Sequence, residues 1–594
     1  MTEEQILSKD TYLEYLRKSE VEQIEFENKL HLQAKRLGID KELKSAWKKY
    51  EKAFKGKISI EESNRKLPKS KYNIENYKMG KYICDITGIT DTKTDYKFSF
   101  IPVFPVERYI NIETGKEKVK IIFYKENKWQ EKIVDRSQLS INQKLLQLSD
   151  YGLDVTSENV RYYINYFSEI MSINDISKLE SVSHLGWQDN EFIPYDSKGI
   201  FDGADDFRSI YNALSVKGQY DKWYEVVKEL RKSKIIKLLM ATTLAAPLLE
   251  KLSVQPYIVN LWSSISGNGK TLSCMVAMSI WGNPEVGALR LSSNNTKNFY
   301  ITTASFMRNL TCYFDELQII KNSKELDTDS LIMDLCNGTE KGRLTKNSEA
   351  REIKTWFNNF LFTSNDRLVK ENAGEHIYNR VIDLEINEKI IEKGQDVARI
   401  IKNNYGYAGK RYMEYIKNIG FEAISGRFEK IYTEIMYTKA TSKQASALAT
   451  ILLANELANE CIFKDDYILQ VNDIVEYIND KDEIKTSVKA KEYIISLITA
   501  NENKFDENNR YGECWGSIKE KYIDNDKYYR IKFNINILYK ELGKGGFDFN
   551  TVKKEWADEG FIEKNSQGKY VHQTTVNKVS GSFVVFMIQK IEEN

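Results

Sequence analysis

The sequence predicts an α/β protein built on a parallel sheet with helices on both faces, and three stretches predict it. The first, Tyr257-Ile-Val-Asn-Leu-Trp-Ser-Ser-Ile-Ser-Gly-Asn-Gly-Lys-Thr271, is a short apolar strand running into a glycine-flexed loop, with a helix (Leu272 to Trp281) behind it. The second, Leu310-Thr-Cys-Tyr-Phe-Asp-Glu316, is a buried-strand pattern ending in paired carboxylates. The third, Phe360-Leu-Phe-Thr-Ser-Asn365, is a strand ending in an amide. Strand ends bearing Gly-Lys-Thr, Asp-Glu and Asn, in that order, seldom arise by accident and predict one site at the carboxyl ends of a five-stranded parallel sheet.

Each stretch has its own chemistry. Backbone NH groups of Gly267 to Lys270 wrap a triphosphate at a helix N-terminus, Lys270 reaches the β- and γ-phosphates, and the Thr271 hydroxyl binds Mg²⁺. The ATP-binding set is thus Ser266, Gly267, Asn268, Gly269, Lys270, Thr271 and Leu272, with Thr271 and Asp315 serving the metal. Ser264 stands where the usual pattern has its first glycine, and serine turns there if φ stays negative. Asp315 holds Mg²⁺ through water, Glu316 orients and deprotonates the attacking water, and Asn365 helps to place that water. A Gly-Asn-Gly turn with an ordinary exposed lysine is the competing reading of the loop taken alone.

At 594 residues the length suggests about four domains. Charged residues at 29% and hydrophobic ones at 41% are ordinary for a globular chain, and a net charge of +1 leaves any nucleic-acid contact to local basic patches. The six cysteines form no CxxC pair, so reduced thiols and no zinc site are expected. The N-terminus lacks a signal pattern and the most apolar run, Leu238 to Leu249, is too short to span a bilayer, which points to a cytoplasmic protein.

Five regions follow. Residues 1–71 are helical, with Ile24, Leu30, Leu37, Leu43 and Trp47 among dense mixed charge. Residues 72–222 turn toward period two, with strands expected at Tyr82-Ile-Cys, Phe98 to Val106 and Lys118 to Tyr124, a helix at Val160 to Met171, and a hairpin at Ser183 to Pro194 whose Gly186-Trp187 reads as a packed turn. Residues 223–387 hold the core, entered by helix Trp223 to Leu249, with strands expected at Tyr257 to Trp262, Val286 to Leu291, Leu310 to Phe314, Asn359 to Thr363 and Val381 to Ile386. Residues 388–481 form a helical lid in which Lys443 is a candidate second sensor. Residues 482–594 read as helix Val488 to Thr499, a Trp515 segment, a helix-turn-helix (Asn536 to Leu542, Asn550 to Glu559) and strands at Phe561 to Lys564 and Phe583 to Ile588, a winged-helix order in which DNA contact through Lys553, Lys554 and Lys564 stays open.

Two insertions in the core carry charge. Residues 337–356 alternate as a hairpin bearing Lys341, Arg343, Lys346, Arg351 and Lys354; in a ring its tips would meet a phosphate backbone in the central hole, which makes Arg343, Lys346 and Arg351 DNA-binding candidates. A solvated charged hairpin is the alternative. Arg380, opening the last core strand, fits an arginine finger reaching a neighbour's γ-phosphate, or a plain surface arginine.

With these residues in place the chain resembles the MCM-like AAA+ replicative helicases of mobile genetic elements, in particular the staphylococcal cassette-chromosome helicases and related phage and pathogenicity-island replication proteins. The resemblance rests on the Ser183 to Pro194 turn, Gly267-Asn-Gly-Lys-Thr271, Phe314-Asp-Glu316, Asn337-Gly with Lys341-Gly-Arg343, Phe362-Thr-Ser-Asn365, Arg380 and Tyr405-Gly-Tyr-Ala-Gly409. It implies a homo-hexameric ring with an N-terminal collar, ATP and Mg²⁺ as cofactors, and 3′→5′ translocation on single-stranded and forked DNA. It also implies work beside replication partners such as a primase, polymerase or single-strand-binding protein. An origin-binding initiator or helicase loader that uses ATP for assembly is the alternative function.

Overall fold

The computed structural model describes residues 1–16, 18, 20–54, 67–195, 200–317, 327–342, 353–370, 373–478, 480–506, 513–523, 526–576 and 578–589. It divides into two compact units, Met1–Ser183 with Lys198–Gly203, and His184–Ser197 with Ala204–Asn594.

In the first unit, helices Glu20–Leu37 and Asp40–Phe54 close over Ile6, Leu30, Ala34, Ile39 and Leu43. Strands β1 (Tyr82–Asp85), β2 (Gly88–Asp91) and β3 (Tyr96–Ser99) make an antiparallel meander. They are followed by β4 (Val103–Asn111), β5 (Glu117–Lys125), β6 (Lys128–Asp135) and β7 (Ser177–Val182). The next strands, β8 (Gly186–Gln188) and β9 (Glu191–Ile193), form a hairpin of the second unit, and β10 (Ile200–Phe201) returns to the first. The larger sheet of the first unit runs β10-β7-β4-β5-β6. Helix Val160–Ile173 packs on it through Tyr163, Tyr166, Phe167 and Ile170, the i, i+3, i+4, i+7 stripe of an amphipathic helix. The buried tyrosine hydroxyls need partners, and Tyr166 donates to the Val103 carbonyl at 2.6 Å.

The second unit is built on β11 (Ile258–Trp262), β12 (Arg290–Ser292), β13 (Cys312–Asp315), β14 (Phe360–Ser364) and β15 (Val381–Glu385), paired in the order β12-β13-β14-β11-β15 with every pairing parallel. Every residue of β13 and β14 is buried, so these strands read as continuous apolar runs rather than alternations. The expected strand Val286 to Leu291 is mostly a turn: Ala288 NH donates to Glu285 O at 3.1 Å and Leu289 NH to Asn283 O at 3.2 Å, which delays β12 to Arg290. The approach to the sheet is two helices, Tyr220–Leu230 and Lys234–Lys251. Pro247 lies inside the second and removes one NH from its last turns. The Thr243 carbonyl four residues earlier instead accepts from Thr311 Oγ1 at 3.4 Å, and the Pro247 carbonyl accepts from Trp187 Nε1 at 2.7 Å.

Trp187 packs as expected of a turn. Its NH donates to Asn309 Oδ1 at 2.9 Å, and Gly186, at φ +89°, lies so close that a Cβ there would sit 2.5 Å from the same oxygen. Helices Gly394–Asn403, Tyr407–Ile419, Phe421–Met436 and Ser442–Ala458 follow the sheet.

The C-terminal part places helices Thr486–Ala500, Ile535–Lys544 and Phe549–Asp558 against an antiparallel sheet of β16 (Gly516–Ile523), β17 (Asp526–Asn534), β18 (His572–Val576) and β19 (Val579–Gln589), ordered β16-β17-β19-β18. Its core gathers Trp515, Phe533, Trp556, Phe561 and Phe586. The Trp515 segment leads into a hairpin that the sequence pattern did not indicate. Phe561 to Lys564 is not a strand; only Ile562 makes a bridge, to Phe586.

Candidate functional site

The site lies at the carboxyl ends of β11, β13 and β14, where parallel strands leave their last polar groups unpaired by the sheet. Beyond β11, Gly267 and Gly269 take φ of +86° and +93°, a conformation that costs glycine nothing, and no atom lies within 4 Å of a Cβ built on Gly267. Ser264 is not among the residues with positive φ, as its place in the loop requires. Asn268 turns inward, its Nδ2 donating to Ser263 Oγ at 2.6 Å and Ile386 O at 3.3 Å, while Ile390 NH donates to its carbonyl. The loop is thereby clipped to the segment after β15. Lys270 and Thr271 open helix Lys270–Met278, so the loop's NH groups and the helix dipole converge on one space. Ser266 is exposed and Leu272 half-buried at its margins.

Lys270 Nζ donates to the loop carbonyls of Ser263 at 3.1 Å and Ile265 at 3.5 Å. Burial holds its ammonium below the ordinary lysine range, partly offset by the charge of Asp315. Thr271 Oγ1 lies 3.1 Å from Asp315 Oδ1. Asp315, buried at the end of β13, also accepts from Tyr313 OH at 3.0 Å, from Thr363 Oγ1, and from Arg290 Nε at 2.8 Å.

Glu316 follows at φ +65°, a left-handed conformation costing a non-glycine residue on the order of 1 kcal/mol. The turn aims its exposed side chain away from the strand, and its NH donates to Thr363 Oγ1 at 3.0 Å. One hydroxyl therefore fixes both acidic residues. The β13–β14 register, Phe314 level with Phe362, brings Thr363 beside Asp315. Asn365 is exposed one residue past β14. The loop behind it is tied down by half-buried Asp383, which accepts from Leu368 NH at 3.0 Å, Val369 NH at 3.3 Å and Asn260 Nδ2 at 2.7 Å; desolvation pushes that carboxyl up.

Arg380 is not part of this cluster. Its carbonyl accepts from Ile258 NH at the start of β11, the end of the sheet away from the glycine loop, which at roughly 3.3 Å per residue is about 15 Å off. Arg380 Nη1 donates to His376 O at 2.6 Å, and its Nε is buried without a hydrogen-bond partner among the described residues. Lys443 lies nearby, at the N-terminus of helix Ser442–Ala458, where Thr441 Oγ1 donates to Asn379 Oδ1 at 2.7 Å. Burial and then the charge of Arg380 push its ammonium down.

Arg343, Lys346 and Arg351 lie outside the described residues. On either side of them in sequence, Thr339 bridges Thr355 antiparallel, Glu340 NH donates to Lys354 O at 2.9 Å, and buried Trp356 Nε1 donates to Leu335 O at 2.8 Å. Thr363 and Arg290 are the site residues that sequence reasoning missed. Thr363 had a signal, being two residues before Asn365 on a strand level with Asp315. Arg290 had none, because its strand begins where the pattern ends one.

The set suits a divalent ion that arrives with phosphate oxygens. Among the described residues no cluster of His, Cys, Asp or Glu could hold a metal alone, while Thr271 and Asp315 supply the hydroxyl and the carboxylate that a nucleotide-borne ion needs. All six cysteines are free, and among the described residues no helix is long and apolar enough to cross a membrane.

Residues 78–355 match the model described as Domain of unknown function (DUF927), and residues 486–592 match the Cch helix turn helix domain. No curated protein matches the sequence. Among solved structures, the chain is similar to "SCCmec type IV Cch - active helicase" at a TM-score of 0.62 and 20% identity, over 86% of this chain and 98% of that one. The C-terminal region of NrS-1 aligns at 11% identity over 80% of this chain and 96% of that one, with a TM-score of 0.29 from which nothing about the fold follows. The chain thus shares the fold of SCCmec type IV Cch over most of its length, and its residues 486–592 match the Cch helix turn helix domain.

Proposed function

We propose that the protein is an ATP-driven, ring-forming DNA helicase of the AAA+ class, acting in replication of a mobile genetic element. The observation that carries this is the convergence of Lys270, Thr271, Asp315 and the Glu316 backbone at the ends of a parallel sheet whose phosphate-loop strand lies between the last strand and the Asn365 strand. The fold shared with a protein titled an active helicase supports it.

In this reading ATP supplies the phosphoanhydride and Mg²⁺ neutralises its developing charge. Lys270 would leave the loop carbonyls for the phosphates, and Thr271 and Asp315 would hold the ion. Glu316 takes a proton from the attacking water while Thr363 anchors the Asp315 carboxylate and the Glu316 backbone NH, and Asn365 holds that water from the next strand. Arg380 serves the neighbouring copy: a guanidinium with an unpartnered Nε beside a second cation, remote from its own loop, suits an anion presented from outside. Arg343, Lys346 and Arg351 would hold single-stranded DNA.

ATP turnover with and without single-stranded DNA, and strand displacement on forks with 3′ or 5′ tails, test the proposal. DNA-stimulated turnover with displacement from a 3′ tail is expected, reduced by Lys346→Ala. Turnover without displacement favours the initiator or loader. Mixing Arg380→Ala with Lys270→Ala subunits should restore part of the hydrolysis each lacks; no recovery removes the shared interface.

A further inference from the structure

Arg290 makes the closest charged contact in the site. Its Nε lies 2.8 Å and its Nη2 2.7 Å from Asp315 Oδ2, so both arms of the fork close on one oxygen. The other oxygen receives Thr271, Tyr313 and Thr363. An ionised carboxylate offers about four lone-pair directions, and this one is saturated. The Asp315 side chain is only 4% exposed, and among the described residues this guanidinium is the cation hydrogen-bonded to it, the remaining donors being neutral hydroxyls and Lys270 acting on it through charge alone.

A divalent ion held by Thr271 and, through its own water, by Asp315 requires one of those lone pairs. It would also face a guanidinium a few ångströms away across a partly buried space, where like charges repel strongly. Arg290 is the donor free to yield: its side chain is 27% exposed, and it opens β12, a three-residue strand at the edge of the sheet. Tyr313 and Thr363, by contrast, are buried within the sheet.

We propose that Arg290 is a charge latch on Asp315, exchanged for the hydrated ion when metal nucleotide enters, and so a positioning residue that sets how tightly the site loads. The latch rests on the nucleotide-site reading above. It acts through Asp315 and predicts that removing the guanidinium tightens metal binding, whereas a phosphate-binding arginine would weaken it.

The full-length protein is titrated with Mn²⁺ in the presence of a non-hydrolysable ATP analogue, free Mn²⁺ being read by electron paramagnetic resonance. Arg290→Gln should bind about tenfold more tightly than the parent, with Arg290→Lys between them, since lysine keeps the charge and loses the fork. The thermal shift produced by the Mg²⁺ analogue complex should be larger in Arg290→Gln, because the unloaded form alone is destabilised. Equal or weaker Mn²⁺ affinity in both variants, with analogue binding intact in the parent, overturns the latch. A parent that binds no analogue overturns the nucleotide site and the latch with it. Should Arg290→Gln not fold, Arg290→Lys decides alone: tighter binding supports the exchange and equal binding ends it.

Discussion

The two units each hold a five-stranded sheet, and they use charge in opposite ways. In the first, charges answer one another along the strands. Arg108 forks onto both oxygens of Glu117 at 2.7 and 2.8 Å, and Lys120 lies 2.5 Å from Glu107 and 3.8 Å from Glu131. In the second, the inner strands β13 and β14 are buried along their lengths and polar groups gather at their carboxyl ends, where an exposed Glu316 and Asn365 are left facing solvent. A charge cluster that is internally satisfied stabilises a fold; one held in a strained or unfinished arrangement is where chemistry is to be sought.

Substitutions should separate the two sheets, the strand ends of the second changing turnover and the strand faces of the first changing stability. The largest effect is expected from Lys270→Ala, which should abolish nucleotide binding and turnover with little change in melting temperature, because Lys270 touches only loop carbonyls. Glu316→Gln should lower hydrolysis by about 10² to 10⁴, the usual share of a general base, while a fluorescent nucleotide binds as before. Thr363→Val should lower turnover about tenfold and also cost about 1–3 kcal/mol in a denaturant melt, since Glu316 NH loses its acceptor and Asp315 a donor. If Thr363→Val melts like the parent and turns over as fast, the two acids do not depend on a common anchor.

The smallest effects on turnover belong to the first sheet. Lys120→Met should leave turnover per folded molecule intact while lowering stability by about 2 kcal/mol, because Glu107 keeps a half-buried charge with no cation. Acid sharpens the contrast further. Arg108 holds the Glu117 carboxyl below its ordinary 4.5, so the pair's contribution is full above that value and is lost as pH falls through the lower folded value. Protection of β4 and β5 amides against hydrogen exchange, taken relative to the intrinsic rate at each pH, should therefore fall as pH drops below 4.5 in the parent, and Arg108→Gln should lack that step.

Much of the second sheet was legible because buried parallel strands write themselves as apolar runs with their working residues at one end. Lys270, Thr271, Asp315 and Glu316 are consecutive pairs at or beyond such ends; β11, β14 and β15 fall within a residue of the expected strands, and β13 begins two residues later than expected. The hairpin β16–β17 was hidden because its exposed face is crowded with Lys and Glu, which break the period-two signal while the strand pairing persists. Phe561 looked like a strand residue because it is apolar and buried; it is a core plug against Trp556 and Phe586.

The sequence by itself determined the glycine loop, the acidic pair and the order along the chain of the strands that carry them, because glycine conformation, charge and hydrophobic run length are local properties. Which residues surround the acidic pair was decided only by tertiary structure. Thr363 and Arg290 reach Asp315 from 48 and 25 positions away through parallel register, and a register between distant strands is set by how whole faces pack. Arg380 shows the same rule: its residue type was plain in the sequence, but its place at the far end of the sheet from its own loop became visible only when β15 was laid beside β11.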